Sequence, residues 1–148
     1  MVIRQALIND IDELHRVRMA VRENVLNNPA LVTYKDYETF LTTGGQGWLC
    51  EVEGRVAGFA ILDMQRCNVW ALFVHPDHEG QGIGKRLQEV MLQWYFAQTD
   101  HTLWLSTGVG TRAEEFYRRT GWKETGITPG GETRFEMSAA AWQALSIR

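Results

Sequence analysis

Cysteine is scarce in this chain of 148 residues, with only Cys50 and Cys67. Their separation matches no zinc spacing, and two thiols make neither a disulfide scaffold nor a metal cage. Both read as ordinary buried strand residues in a reducing setting. No apolar run reaches bilayer-spanning length, and the first residues read as a strand, Val2-Ile3-Arg4-Gln5-Ala6, where a secretory signal would place an apolar stretch. An excess of one charge is also missing. The 15 basic and 18 acidic residues leave a net charge of -3, which gives no general attraction to nucleic acid or to a membrane. With 45% hydrophobic residues, the expectation is a cytoplasmic protein with one folded domain over 1–148.

What the chain does have is concentrated between Trp70 and Lys85. A strand ending at Val74 passes through His75-Pro76-Asp77-His78-Glu79 into three glycines at alternate positions, Gly80, Gly82 and Gly84. The apolar residues that follow, Ile83, Leu87, Val90, Met91 and Trp94, have the spacing of a helix with one face on a core. Such a junction points backbone N–H groups at an anion. A dinucleotide fingerprint fails because Leu87 fills its third glycine position, and a Walker loop fails at Glu79 and Arg86. The histidines and carboxylates of the turn lack the His-Glu-x-x-His spacing, so no metal is expected.

The remaining elements alternate between helix and strand. Asp10 is expected to cap a helix reaching about Asn24, with Ile11, Leu14, Val17, Met19, Val21 and Val25 as its apolar surface and Pro29 as its interruption. Thr33 and Asp36 start a short helix through Tyr37, Phe40 and Leu41, released by Gly44 and Gly45. Trp48, Cys50 and Val52 alternate on a strand that turns at Glu53-Gly54 into Val56–Met64. Asn68–Val74 reads as a covered central strand, Ile83–Ala97 as its helix and Thr102–Thr107 as the next strand. Thr111 caps a helix that carries Ala113, Phe116 and Tyr117 on one side and stops at Thr120-Gly121. A hairpin, 122–128 with 133–138, closes the pattern across Pro129-Gly130-Gly131, before a tail from Ala139 to Arg148 expected to form a helical turn or to fray. Trp48, Trp70 and Trp104 are expected to be internal.

Two segments carry a resemblance: Val74-x-Pro76 followed by Glu79-Gly80-x-Gly82-Ile83-Gly84, and Ala113-Glu114-Glu115-Phe116-Tyr117-Arg118-Arg119-Thr120-Gly121-Trp122. Together, and in this order, they resemble the GNAT superfamily of N-acetyltransferases across nearly the whole chain. The resemblance implies a mixed, mostly antiparallel central sheet flanked by helices, with splayed fourth and fifth strands. It implies acetyl-CoA as co-substrate, its pantetheine arm paired with backbone at Leu72, Phe73 and Val74. Its pyrophosphate is then held by the amides of Glu79, Gly80, Gln81, Gly82, Ile83, Gly84 and Lys85. Glu79 stands where the family usually has Arg or Gln, and Gly110 stands where many relatives place an Asn beside the cofactor.

The same resemblance assigns Tyr117 as proton donor to the departing thiolate and the Leu72 amide as donor to the developing oxyanion. Asn68, Trp70 and Ala71 occupy the strand where many relatives carry a carboxylate base. His75 or Glu51, acting through water, are the alternatives, and neither is assigned. The acceptor wall would draw on Arg18, Arg22, Glu23, Tyr34, Tyr37 and Arg134, with Arg22 and Arg134 suited to a carboxylate and Glu23 to a cationic amine. The expected activity is acetyl transfer to a primary amine of a small metabolite or peptide by direct attack in a ternary complex. The alternatives are a CoA-binding regulatory protein without catalysis, or transfer of another acyl group or to a hydroxyl. A homodimer through the terminal hairpin is compatible with either.

Overall fold

Glu53 and Gly54 have φ values of 53° and 78°, the paired left-handed geometry of a two-residue hairpin turn. They join β2, Gly45–Val52, to β3, Arg55–Asp63, where the sequence places that turn. The structure, a computed structural model, describes residues 1–21 and 32–146. The chain divides into two compact units, Met1–Met91 and Leu92–Arg148. Its fold is mixed α/β, a mostly antiparallel sheet flanked by helices, as expected.

In the first unit β1, Val2–Gln5, pairs with β2, β2 with β3, and β3 with β4, Asn68–Val74, all antiparallel. Helices α1, Ile11–Ala20, and α2, Tyr34–Leu41, cover one side. Leu14, Val17, Tyr37 and Leu41 from these helices share a core with Leu49, Phe59, Ile61 and Ala71 from the strands. Thr33 starts α2 with a capping box: its hydroxyl accepts from the Asp36 N–H at 3.2 Å, and the Asp36 carboxylate accepts from the Thr33 N–H at 2.8 Å. Between Ile61, which faces Ala71, and Leu62, which faces Val69, Trp70 is left over as a bulge in β4.

Five expectations for this unit are corrected. Asp10 does not cap α1 with its side chain: its carboxylate accepts from the Leu7 N–H at 2.8 Å and from Arg4 at 2.8 and 3.0 Å. The charged partner on β1 wins over the free amides of α1. That helix ends at Ala20, because Val21 is extended at φ -80°, ψ 108°, and Met19 is 43% exposed. The expectations for Asn24, Val25 and Pro29 lie outside the described residues. Burial does not alternate on β2, where Trp48, Leu49 and Cys50 are buried in succession, as in a strand covered on both faces. Cys67 lies in the turn before β4, partly exposed and with φ 53°, and not on a strand.

Helix α3, Ile83–Gln98, begins at the expected residue. The second unit continues with β5, Leu103–Thr107, α4, Arg112–Arg119, β6, Lys123–Ile127, β7, Thr133–Met137, and α5, Ala139–Ser146. Strand β7 lies between β5 and β6 and is antiparallel to both. Phe135 and Met137 are buried, as are Leu103 and Leu105 opposite them. The tail forms the full helix α5, and a Cβ on Gly121, φ 96°, would come within 2.7 Å of Leu145. The glycine that ends α4 therefore also admits α5. The fourth and fifth strands belong to different units.

Candidate active site

After β4 the chain makes a short 3-10 turn, Pro76–His78. His75 Nδ1 accepts from the Asp77 N–H at 3.1 Å, and the Glu79 N–H donates to the Pro76 carbonyl at 3.4 Å. The amides turned away from that turn therefore begin after Glu79. Gly80 and Gly82 follow with φ of 78° and 81°, and a Cβ on either would meet nothing within 4 Å. Glycine is needed here for the dihedral, and it leaves the surface open to a close approach. The first bond of the α3 ladder runs from the Arg86 N–H to the Gly82 carbonyl at 3.1 Å. The amides of Ile83, Gly84 and Lys85 consequently precede the ladder, at the positive end of the helix dipole. Gln81, Gly82, Lys85, Arg86 and Glu89, with Met1, line a concavity of about 340 Å³. Amide donors, left-handed glycines and two basic side chains fit a diphosphate.

Strand β4 offers main-chain groups beside this loop. The His75 N–H donates to the Ala57 carbonyl at 2.7 Å. Alternation along the antiparallel pair then turns Phe73, opposite Phe59, into the β3 ladder. Leu72 and Val74 direct their N–H and C=O groups to the other edge. Gly58 lets α3 lie close to this strand pair, because a Cβ there would sit 2.9 Å from the Phe73 carbonyl oxygen, 3.1 Å from Ile83 and 3.2 Å from Leu87.

Under β4 lies an aromatic cluster. Trp70 meets Tyr37 edge-on at 5.1 Å and Phe40 at 5.0 Å, while the Arg18 guanidinium lies 4.8 Å from the Trp70 ring and 4.9 Å from the Phe73 ring. The Tyr37 hydroxyl is 2.9 Å from His15 Nδ1. Burial raises the pKa of that hydroxyl, and the neighbouring Arg18 charge works against the rise.

In the second unit Tyr117 is buried, with its ring 5.3 Å from Phe116, 5.7 Å from Trp122 and 5.7 Å from Phe135. Desolvation pushes its phenol far above the ordinary tyrosine range, so it is protonated at neutral pH. One helical turn away, Glu114 is buried too. Its carboxylate accepts a short bond from the Thr133 hydroxyl, the Gly110 N–H at 3.2 Å and Arg118 at 3.0 Å. The Thr133 bond is the main reason its carboxyl is held below the usual glutamate range.

A model of the acetyltransferase (GNAT) family matches residues 9–122. The chain belongs to the GNAT family. It is 30% identical over 96 residues to an uncharacterised N-acetyltransferase of Methanocaldococcus jannaschii, which covers 56% of this chain but 41% of that protein. The chain thus spans about two fifths of the length of that relative. Among solved structures it is similar to a ribosomal-protein-alanine N-acetyltransferase of Brucella melitensis, at 22% identity and a TM-score of 0.75 over 93% of this chain and 99% of the other. It is also similar to a PaiA N-acetyltransferase of Thermoplasma acidophilum in complex with coenzyme A, at 15% identity and a TM-score of 0.78 over 93% and 98%. At such identities the structural likeness is one of fold.

The other residues singled out in this GNAT chain are distributed as follows. Tyr34, the first residue of α2, is 53% exposed. Arg134 lies over the Trp104 ring at 4.3 Å and donates to Glu136 at 3.2 Å. Arg22 and Glu23 fall outside the described residues. Gly110 has φ 79°, and its amide is held by Glu114. Glu51 is engaged by Arg4 Nε at 2.7 Å. Thr111-x-x-Glu114 reads as a capping box, but its carboxylate serves a buried hydrogen-bond network that the local pattern does not reveal. Only half of that box forms: the Thr111 hydroxyl accepts from the Glu114 N–H at 3.2 Å, while the Glu114 side chain turns to Gly110 and Thr133. Among the described residues no three His, Cys, Asp or Glu side chains gather as a metal site, and no helix is long and apolar enough to cross a membrane.

Proposed function

We propose that this GNAT protein transfers the acetyl group of acetyl-CoA to a primary amine of a small metabolite or peptide, by direct attack in a ternary complex. The observation that carries the reading is the left-handed pair Gly80 and Gly82 ahead of the free first turn of α3. The amides of Gly80 to Lys85 would hold the pyrophosphate, and the outward main-chain groups of Leu72 and Val74 would pair with the pantetheine arm. Bound acetyl-CoA would supply a thioester carbon open to a neutral amine. The Leu72 N–H is the assigned donor to the charge that grows on the carbonyl oxygen. Tyr117 is the assigned donor to the departing sulfur. A phenol raised by burial stays more basic than a thiol of pKa about 8.5, so it stabilises the thiolate by donating a hydrogen bond and gives up its proton only transiently.

His75 Nδ1 and Glu51 each already have a partner within the chain, and the reading assigns the general base to neither. The amine then enters in its neutral form, and the rate should climb with pH up to the amine's own pKa. Coenzyme A in the Thermoplasma neighbour and a ribosomal protein's alanine as substrate of the Brucella neighbour are compatible with this donor and with an amine acceptor. The same reading places the protein in the cytoplasm as one domain and allows a homodimer through β6, an edge strand of its unit that is exposed along its length.

The test is to incubate the protein with acetyl-CoA and a panel of polyamines, amino acids and peptides while following free thiol. Acceptor-dependent thiol release is expected. Tight CoA binding without any such release overturns transfer and favours a CoA-binding regulator.

A further inference from the structure

Arg18 differs from the paired arginines of the first unit. Arg4 pairs with Asp10 and Glu51, Arg16 and Arg55 pair with Glu13, and Arg66 lies 3.9 Å from Asp63. Arg18 is 7% exposed, and its Nε and Nη1 hydrogen-bond to nothing among the described residues. No carboxylate among the described residues pairs with it. Its charge rests on the faces of Trp70 and Phe73, at 4.8 and 4.9 Å, and on the carbonyl end of α1, whose last turn it occupies.

Guanidinium remains charged at any working pH, so it cannot escape desolvation by releasing a proton. A buried arginine with unused planar donors is a costly arrangement unless an anion completes it. Ring faces attract the cation but accept none of its in-plane N–H bonds, and the Tyr37 hydroxyl, which accepts from the guanidinium, leaves Nε and Nη1 unused. Both rings under Arg18 come from β4, and one of them is the bulged Trp70. The strand that carries the proposed oxyanion donor, Leu72, therefore also carries the floor beneath the guanidinium.

We infer that Arg18 is the acceptor anchor and that its ligand is a carboxylate: the molecule acetylated carries both an amine and a carboxyl group, as a free amino acid does. This deepens the proposed acetyl transfer and rests on it. A purely cationic acceptor such as a polyamine would be repelled from this position, whereas an amino acid places one carboxylate on the guanidinium and leaves its amine free.

The test compares free L-amino acids with their carboxamides, which keep the amine and lose the negative charge. Thiol release from acetyl-CoA is followed for both series, and both are titrated calorimetrically into the CoA-loaded protein. Wild type should favour at least one acid over its amide by at least tenfold in kcat/KM and in Kd. Arg18→Gln should abolish that preference through KM, and Arg18→Lys should restore part of it. The wild-type comparison stands even where a variant fails to fold. Equal use or binding of acids and amides, or binding of neither series, overturns the anchor. Carboxylate-selective binding without thiol release would sustain the anchor and defeat the transfer reading; thiol release indifferent to the carboxylate would do the reverse.

Discussion

At the start of α3 the groups offered to an anion are main-chain amides, aimed by Gly80 and Gly82. On α4 the polar groups are side chains: the Tyr117 phenol and, one turn away, a Glu114 carboxylate that accepts from Thr133, 19 residues further along. The first region depends on the path of the chain and is nearly indifferent to which side chains project from it. Glu79 illustrates this, because a carboxylate in the turn leaves the later amides in place. The second region depends on single atoms, so a one-atom change should disable it without bending the backbone. The two kinds of site should therefore fail differently.

The largest expected effect is on the side-chain region. Tyr117→Phe keeps the buried ring and its three aromatic neighbours but removes the proposed donor. A fall in kcat of about 100-fold, equivalent to about 2.7 kcal/mol, is expected with unchanged CoA affinity. Steady-state thiol release and calorimetry measure the two quantities. A kcat within about twofold of wild type would make Tyr117 a packing residue and leave one functional region instead of two.

The backbone region should respond first through stability. Gly58→Val drives a side chain into the Phe73 carbonyl, Ile83 and Leu87, and overpacking of this kind costs about 2 kcal/mol. Urea denaturation would measure it, and an unchanged midpoint would show that α3 has room to shift. Gly82→Ala meets no atom within 4 Å, so its cost is the dihedral alone, about 1 kcal/mol at φ 81°. CoA affinity should fall several-fold with kcat retained at saturation. Loss of kcat with affinity retained would reverse the roles given to the two regions.

This contrast also explains what could be read from the sequence. The β4 strand, the glycine turn, the start of α3 and the Thr33–Asp36 box are set by residues within a few positions of each other, so their pattern carries their structure. Asp10 looked like a helix cap by the same local logic, but Arg4 on β1 took its carboxylate. Arg18 continues the line of Leu14 and Val17 on the buried face of α1, where Trp70 and Phe73 from a distant strand lie against it. Glu114 sits in a helix start that suggests a cap, and its true partner belongs to β7. The surroundings of a charged side chain are hard to read where its partners are remote, because periodicity identifies a face and not what covers it.

The smallest effect sharpens the comparison through pH. In the folded chain Glu114 is held below its ordinary value of 4.5, first by the Thr133 hydroxyl and then by the Gly110 amide and Arg118, against the opposing push of burial. As pH falls, the unfolded chain takes up this proton before the folded chain does. The stability contributed by the ionised carboxylate is thus complete above the unfolded value and is lost as pH drops through the folded one. Glu114→Gln places an amide among donors that need an acceptor, so it should be less stable than wild type at neutral pH. The gap should narrow below about pH 4.5, where wild type loses the same charge. Asp10→Asn should remove a separate acid limb, because Arg4 holds the wild-type carboxyl below its ordinary 3.8. Hydrogen exchange can separate the two, with Glu114→Gln loosening amides of α4 and β7, and Asp10→Asn those of β1 and the first turn of α1. A wild-type and Glu114→Gln gap that stays constant from neutral pH to about pH 3 would mean that the carboxylate is not the charged centre of its network. The remaining contrast between the two regions would then rest on Tyr117 alone.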